Sequence, residues 1–290
     1  MSSIWWHGVW TAPLVLGLVV GVLQASDATV AVKAPNLPGY KLMWSDEFNY
    51  TGLPDPKKWG YEEGWVRNHE LQYYTRDRKE NARVENGMLI IEGRKEQFKN
   101  PNYDPAHPGT TPEYAAYTSA SLTTQGMESW KYGRIEVRAK LPHGLGVWPA
   151  IWMLGDDISK VGWPACGETD IMEFVGHSPK QVHATVHYRI DGKHQSNGKA
   201  LDVDKPWDGF HVYAVDWTPE RMDFYYDNTK YQSFNVADAR DAGQNPFQKP
   251  QFLILNLALG GSWGGKMDDS ILPQKFEIDY VRVYQKTPAQ

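Results

Sequence analysis

A chain of 290 residues could hold two domains on length alone, but β-sandwiches and barrels commonly run to about 250 residues as one unit, so a single domain is allowed. Lys+Arg 30 against Asp+Glu 35 leaves a net charge of -5, without the basic stripe by which a nucleic-acid binder follows phosphates. The 13 Trp and 16 Tyr supply flat rings for stacking, although core packing is the plainer use for most of them.

The chain opens MSSIWWHGVWTAPLVLGLVVGVLQAS, with an uncharged apolar run from Ala12 to Leu23 and small residues near Ala25. That run is shorter than the roughly 20 residues a membrane span needs, so residues 1–25 are expected to be a secretory signal peptide. The protein is then secreted, to the extracellular space or the periplasm, with no membrane contact after cleavage. The segment lacks Lys and Arg, leaving the amino terminus and His7 as its only sources of positive charge, and retention as a membrane anchor is the alternative. A linker is expected over 26–38, one folded domain over 39–286 and a frayed tail over 287–290. Cys166 is the only cysteine, so no internal disulfide can form. Nothing marks a base beside it, and it reads as a buried bystander.

From Lys41 onward the texture is of short strands separated by turn residues. ARVENGMLIIEGR sets Asn86-Gly87 between two apolar runs, a hairpin signal because both turn positions need positive φ. The FKNPNYDPAHPGTTPEYAAY stretch is polar and Pro-rich, a long surface loop from about Phe98 to Ala115. GRIEVRAKL alternates Ile135, Val137, Ala139 and Leu141 with charged residues, a half-buried strand. FHVYAVDW, MDFYYDN, QFLILNLAL and FEIDYVRVYQ suggest further strands. No window of ten or more residues shows convincing helical amphipathicity, and there is no internal repeat. The reading is an all-β sandwich.

The segment GETDIMEF, Gly167 to Phe174, places Glu168, Asp170 and Glu173 within six residues, among neighbours that look like a strand interior. On a helix Glu168 and Asp170 would lie about 200° apart, with Glu173 on yet another face. On a regular strand Glu168 and Asp170 share a face, and Glu173 falls on the opposite one. One extra residue restores the parity, because a β-bulge sets two residues against one on the partner strand; a bulge is therefore expected at Ile171-Met172. All three acids then line one face, while Thr169 and one of the bulge residues point to the core. In a flat strand the two Glu Cα atoms would be about 13 Å apart at ~3.3 Å per residue, so the sheet must curve to bring the carboxyl tips together. Like charges so close split their pKa values, as acid-base catalysis requires. A merely solvated acidic edge would leave the flanking aromatics and the apolar Ile-Met pair unexplained.

WPAIWMLG, WPACGETDIMEFVGH, LNLALGGSWGG and IDYVRVYQ, in this order and spacing, resemble the glycoside hydrolase family 16 enzymes, above all the endo-1,3-β-glucanases called laminarinases. The resemblance covers nearly everything from Leu42 to Gln285. Within that family the form with the extra residue, Met172 here, is the bulged type found in laminarinases and some galactan hydrolases. Thr169 departs from the pattern, where an aliphatic residue is commoner. The resemblance implies a jelly-roll of two curved antiparallel sheets with a concave substrate cleft. It also implies retention through a covalent glycosyl-enzyme intermediate, with Glu168 as nucleophile, Glu173 as acid/base and Asp170 steering charge and protons between them. Such chemistry wants the two carboxyls ~5 to 5.5 Å apart. The expected protein is a monomeric endo-hydrolase whose partner is a β-glucan polysaccharide, with no cofactor required for catalysis. A galactan hydrolase of the agarase or carrageenase kind is the rival enzyme. A non-catalytic β-glucan-binding protein is the rival from another class, and the three intact acids argue against it.

Trp148 and Trp152, four apart on one strand, share a face and with Trp163 are candidate sugar platforms; the resemblance puts them near the cleft. VHATVHY sets His183, Thr185 and His187 on one strand face. Two His at that spacing could share a zinc ion only on a helix. His187 is instead expected to face Asp170 or the substrate. Asn68 in RNHELQYYT and Trp263 in GGSWGG are substrate contacts implied by the resemblance alone. So is a structural calcium ion held by Glu47, the carbonyl of Gly87 and Asp279, whose hard oxygens suit that ion.

Overall fold

Asn86 and Gly87 take φ values of 54° and 74°, so the two-residue turn twists in the sense the flanking strands require. This hairpin is one of many in a computed structural model that describes residues 1–2, 37–107 and 111–287. The expected leader, apart from its first two residues, the linker up to residue 36 and the tail beyond Thr287 lie outside the described residues. Among the described residues no helix is long and apolar enough to cross a membrane.

The first eight strands are β1 (Tyr40–Asp46), β2 (Gly60–Glu62), β3 (Gln72–Tyr74), β4 (Ala82–Glu85), β5 (Met88–Lys99), β6 (Tyr114–Ser119), β7 (Ser121–Thr123) and β8 (Gly133–Lys140). After them come β9 (Val147–Gly155), β10 (Glu168–Glu173), β11 (Gln181–Ile190), β12 (Lys193–Asp202), β13 (His211–Trp217), β14 (Arg221–Tyr226), β15 (Thr229–Asn235), β16 (Gln251–Leu259) and β17 (Gln274–Lys286). The α-helices among the described residues are two single turns, α1 (Ile158–Val161) and α2 (Gly261–Gly264).

One sheet of ten strands runs β15-β14-β13-β8-β17-β5-β6-β3, with β1 added on β17 and β4 on β5. The other, of seven strands, runs β12-β11-β10-β9-β16-β7-β2. Pairing is antiparallel except between β3 and β6. Alternation decides what each strand gives to the layer between the sheets. Ile135, Val137 and Ala139 of β8 and Val281 and Val283 of β17 meet Ile151 and Met153 of β9 and Leu253, Leu255 and Leu257 of β16 in one buried core. Trimming one of these Leu to Ala would cost about 2–5 kcal/mol. The opposite faces of β9 and β16 carry Ala150, Trp152, Leu154, Phe252 and Ile254, also buried but in a separate cluster under the cleft. This double coverage is why VWPAIWMLG and QFLILNLAL read as continuous apolar runs. Glu136, a charged position of the alternating β8, is buried too, since Arg134 Nε donates to its Oε2 at 2.9 Å.

Candidate active site

Gly167 makes the bend that feeds β10. Its φ is 77°, and a Cβ there would lie 2.7 Å from the Pro246 side chain, so a larger residue would be strained and crowded at once. Beyond it Glu168 sits opposite His187 and Asp170 opposite Thr185 on β11, but Glu173, three residues on, faces His183 only two residues back. On β9 the same segment runs Asp170 to Trp152, Met172 to Ile151 and Glu173 to Ala150. The extra residue demanded by parity is present, and the three acids emerge on the cleft face. Both Ile171 and Met172 are fully buried in the main core, where only one of them was expected to point inward. Two residues set against one turn both apolar side chains away from the cleft, which anchors the bulge from below. Thr169 is buried and donates from Oγ1 to Gln251 Oε1 at 2.8 Å, giving a polar residue a partner where an aliphatic one would simply pack.

The cleft has a volume of about 760 Å³ and is lined by the three acids together with Trp148, Trp152, Trp163, His187, Asn68 and Trp263. The structure thus gathers every residue proposed for catalysis or substrate contact, in different attitudes. Trp163 is 50% exposed and donates from Nε1 to Glu168 Oε2 at 2.8 Å. Trp148 and Trp152 are only 8% and 7% exposed. Trp148 donates from Nε1 to Glu173 Oε1 at 3.0 Å, and Trp263 of α2 stands edge-on to it with centroids 5.6 Å apart. Trp152 donates to Asn256 Oδ1 at 2.7 Å, and the Arg67 guanidinium covers its ring at 4.8 Å. Trp163 therefore offers the open indole face, whereas the other two indoles orient polar groups. Asn68, at φ 57°, donates to Glu70 Oε1 at 3.3 Å. His187 Nε2 lies 3.2 Å from Asp170 Oδ2 and 3.8 Å from Glu168 Oε1, which is the Asp170-facing role expected of it.

Burial raises the pKa of all three acids, and their neighbours then separate them. Glu168 is raised by burial, but His187, the Trp163 N–H and Arg67 oppose the shift. Asp170 and Glu173 are pushed well above the ordinary carboxylate range, first by burial and then by the negative charge of the neighbouring acid. Asp170 and Glu168 share a hydrogen bond, which pulls Glu168 down and pushes Asp170 up. The arrangement thus presents, from one strand, a Glu168 whose rise is opposed by its neighbours and a Glu173 whose rise is reinforced by them. Cys166 is buried and its thiol is pushed up to about 11, mainly by burial, so it is no competing nucleophile.

Among the lining residues that escaped the sequence reading are Arg67, Glu70, Asn256 and His194. Glu70 is buried with its pKa raised by desolvation, and it accepts from Gln72 Nε2 at 2.7 Å and Tyr74 OH at 3.0 Å. Tyr74 OH in turn accepts from Asn256 Nδ2 at 2.9 Å, so a buried chain of hydrogen bonds ends on the Trp152 indole. Arg67 and Glu70 flank the Asn68 already singled out. His194 lies on β12, whose polar sequence hid a strand.

On the outer sheet the register brings the expected calcium ligands towards one end, since Leu89 pairs with Ile278 and Asp46 with Val281. As they stand they do not form an oxygen cage. Arg282 donates to Glu47 Oε1 at 2.9 Å and Oε2 at 2.7 Å, and Arg138 donates to Asp279 Oδ2 at 2.6 Å. In the cleft, Glu168, Asp170 and His187 bring one atom each within 4.8 Å of one another. The Asp170–Glu168 hydrogen bond and the adjacent imidazole account for that spacing.

The profile of glycosyl hydrolases family 16 matches residues 70–282. This chain belongs to that family. The family 16 chain is 44% identical over 280 residues to a β-glucanase of Rhodothermus marinus, covering 92% of this chain and 93% of the other. The solved laminarinase of Rhodothermus marinus superimposes with a TM-score of 0.75 at 44% identity, over 87% of this chain and 99% of that one. An endo-acting O-glycanase with which human gut bacteria initiate mucin breakdown gives a TM-score of 0.81 at 38% identity, over 87% and 93%.

Proposed function

We propose that this family 16 hydrolase cleaves internal β-1,3 linkages of laminarin-type glucan with retention, through a covalent glycosyl-enzyme intermediate. The observation that carries the mechanism is the pair of unequal carboxyls on the bulged strand, Glu168 opposed in its upward shift by His187 and Glu173 pushed well up by burial and by Asp170. Glu173 gives its proton to the glycosidic oxygen while Glu168 attacks the anomeric carbon, so the C–O bond breaks as the ester forms. Esterification removes the charge of Glu168, and Glu173, now a carboxylate, takes a proton from water as the water attacks. Asp170 is hydrogen-bonded to Glu168, and its negative charge helps to hold the proton on Glu173.

The Rhodothermus enzymes support the glucan, and the likeness to the O-glycanase makes a glycan panel the decisive test. Reducing ends and a ladder of laminari-oligosaccharides are expected from laminarin. Products from agarose, carrageenan or mucin glycans alone would replace the substrate with that of the rival hydrolase. Binding of laminarin with no products at high protein concentration would favour the binding protein.

Export, with no membrane contact after cleavage, completes the reading and rests on the apolar run from Ala12 to Leu23; the charge balance supports the absence of a nucleic-acid partner, and a monomer is proposed with them. Sequencing the amino terminus of secreted protein checks the leader. Calcium is proposed only as a structural ion, and to bind at Glu47 and Asp279 it must displace Arg282 and Arg138. A melting temperature unchanged between EDTA and excess calcium would remove it.

A further inference from the structure

His194 is a cleft residue that the mechanism above does not use. It comes from the edge strand β12, reached from β11 through an Asp191-Gly192 turn with φ values of 50° and 74°. Arg189 pairs with His194 and Ser196 with His187, which sets the two imidazoles diagonally across neighbouring strands. His194 Nε2 lies 2.8 Å from His187 Nδ1, with the rings 23° from parallel. His194 also packs on Trp163, centroids 4.7 Å apart. The contacts close a ring around Glu168: Trp163 donates to one carboxylate oxygen, His187 faces the other, and His194 touches both supports.

One hydrogen lies between the two imidazoles, and its owner decides what His187 shows to the acids. If His194 donates, His187 Nδ1 is an acceptor and only its Nε2 carries a proton. If His194 accepts, His187 donates outward and can carry a second proton on Nε2, presenting a cation to Asp170 and Glu168. Burial, and then the neighbouring His187, lower the pKa of His194, which favours the neutral, accepting form. The other groups facing the pair are Glu168, Asp170 and Glu173 on β10, and Arg67 from the loop between β2 and β3. Arg67 holds Glu62 by a salt bridge and lies over Trp152, so His187 is the basic side chain nearest the Glu168–Asp170 pair.

We propose that His194 is a positioning residue for the glycosidase reaction: as a neutral acceptor it keeps both nitrogens of His187 protonated, and so keeps Glu168 ionised at mildly acidic pH. The proposal rests on Glu168 being the nucleophile. His194 touches no reacting atom in this scheme and acts through His187. Because it stands on the exposed rim, it also gives the His187 proton a way to solvent.

The test is the pH profile of kcat/KM on laminarin, whose acid limb reports ionisation of the nucleophile in the free enzyme. His194→Phe keeps a ring against Trp163 but removes the acceptor, and should move the acid limb up by about one pH unit, a roughly tenfold loss on the acid side that disappears towards neutral pH. His194→Gln restores an acceptor oxygen and should return the limb to its wild-type place. A limb unmoved by His194→Phe, or moved alike by both variants, overturns the proposal, as does a uniform fall in rate across pH. Should His194→Phe not fold, nitrogen-15 NMR of wild-type histidines decides. Both His187 nitrogens protonated with His194 Nε2 bare at the acid limb sustains the proposal; a proton on His194 Nε2 and none on His187 Nδ1 ends it. Azide rescue of Glu168→Ala tests the nucleophile separately, so an unmoved limb in an enzyme that passes that test counts against His194 alone.

Discussion

Glu96 and Glu173 are both glutamates on β-strands of one sandwich, and their pKa values move in opposite directions. Glu96, on β5, receives Arg78 Nη1 and Nη2 at 2.7 and 2.8 Å, and this paired hydrogen bond pulls its carboxyl below the usual range. Glu173, on β10, has Trp148 for its donor and Asp170 for its charged neighbour, and its carboxyl rises. The contrast extends to the two sheets. Glu47, Asp216 and Asp279 of the ten-stranded sheet or its borders are each held by an arginine. Among the cleft acids of the seven-stranded sheet, the close basic group is an imidazole. Acids that stabilise are matched to guanidinium groups, and acids that react are left under-compensated so that protons can move.

The largest break in this contrast is expected from Glu168→Gln. The amide is isosteric but forms no glycosyl ester, so the rate on laminarin should fall roughly 10⁴-fold or more while laminarin binding survives. Glu168→Ala with azide and an activated aryl laminari-oligosaccharide should yield the α-glycosyl azide. A near wild-type rate in either variant would move the nucleophile elsewhere.

Deleting Met172 attacks the backbone feature that makes the cleft acids differ from the rest. Without Met172 the segment reads Glu-Thr-Asp-Ile-Glu, so either β10 straightens and the three acids share a face as on a regular strand, or β9 and β11 hold the bulged register and Glu173 is displaced from the cleft. The general acid is worth about 10²–10⁴-fold, and a loss in that range is expected. Reducing-end assays on the folded variant measure it. A fully active deletion would show that β10 straightens and keeps the three acids on one face without the bulge, and a fully active deletion with the bulge still in place would show that parity is not what places Glu173.

The bulge was legible because three acids at this spacing can share a face in one way only. The Asn86-Gly87 hairpin and the alternating β8 were legible for equally local reasons. The edge strand β12 was not: KHQSNGKALD is exposed on both faces for most of its length and has no apolar side to reveal a period of two. Its available signal was Asp191-Gly192 following a clear strand, a hairpin turn by the same rule that found Asn86-Gly87. The parallel pairing of β3 with β6 joins segments far apart in sequence, so no local pattern announces it. Trp152 shows another limit. Its spacing from Trp148 gave the right face, but that Arg67 would cover the ring depends on a loop conformation.

A smaller effect should follow from Asp170→Asn. Burial and then the Asp170 charge raise the Glu173 pKa, so removing that charge should lower it. Because Glu173 must be protonated to act, the basic limb of the kcat/KM profile should move to lower pH. The rate at the optimum should fall by less than the roughly 10²-fold a general acid is worth, and the covalent intermediate should persist in mass spectra. An unchanged profile would make Asp170 structural and leave a site of two carboxylates.

The smallest effects concern stability, and their signs oppose each other. Glu96 has a depressed pKa in the folded protein, so its contribution is present above the unfolded carboxylate range near 4.3 and is lost as pH falls through the folded value. Glu96→Gln should therefore cost stability at pH 7, by about 0.2–1 kcal/mol because the pair is still partly exposed to solvent, and cost nothing once the pH is low enough to protonate the wild-type carboxyl. For Glu173 the folded pKa is raised, so the folded state binds a proton that the unfolded chain has already released. Stability then falls as pH climbs from the unfolded value to the folded one, and the penalty is complete above it. Glu173→Gln should abolish that penalty and stabilise the protein by about 1 kcal/mol at alkaline pH, with no gain at pH 3, in exchange for the loss of activity. Urea midpoints of the wild type and both variants at pH 3, 7 and 9 measure the difference. Two variants that shift in the same direction at pH 9 would show that burial in the cleft is no harder on Glu173 than the surface is on Glu96.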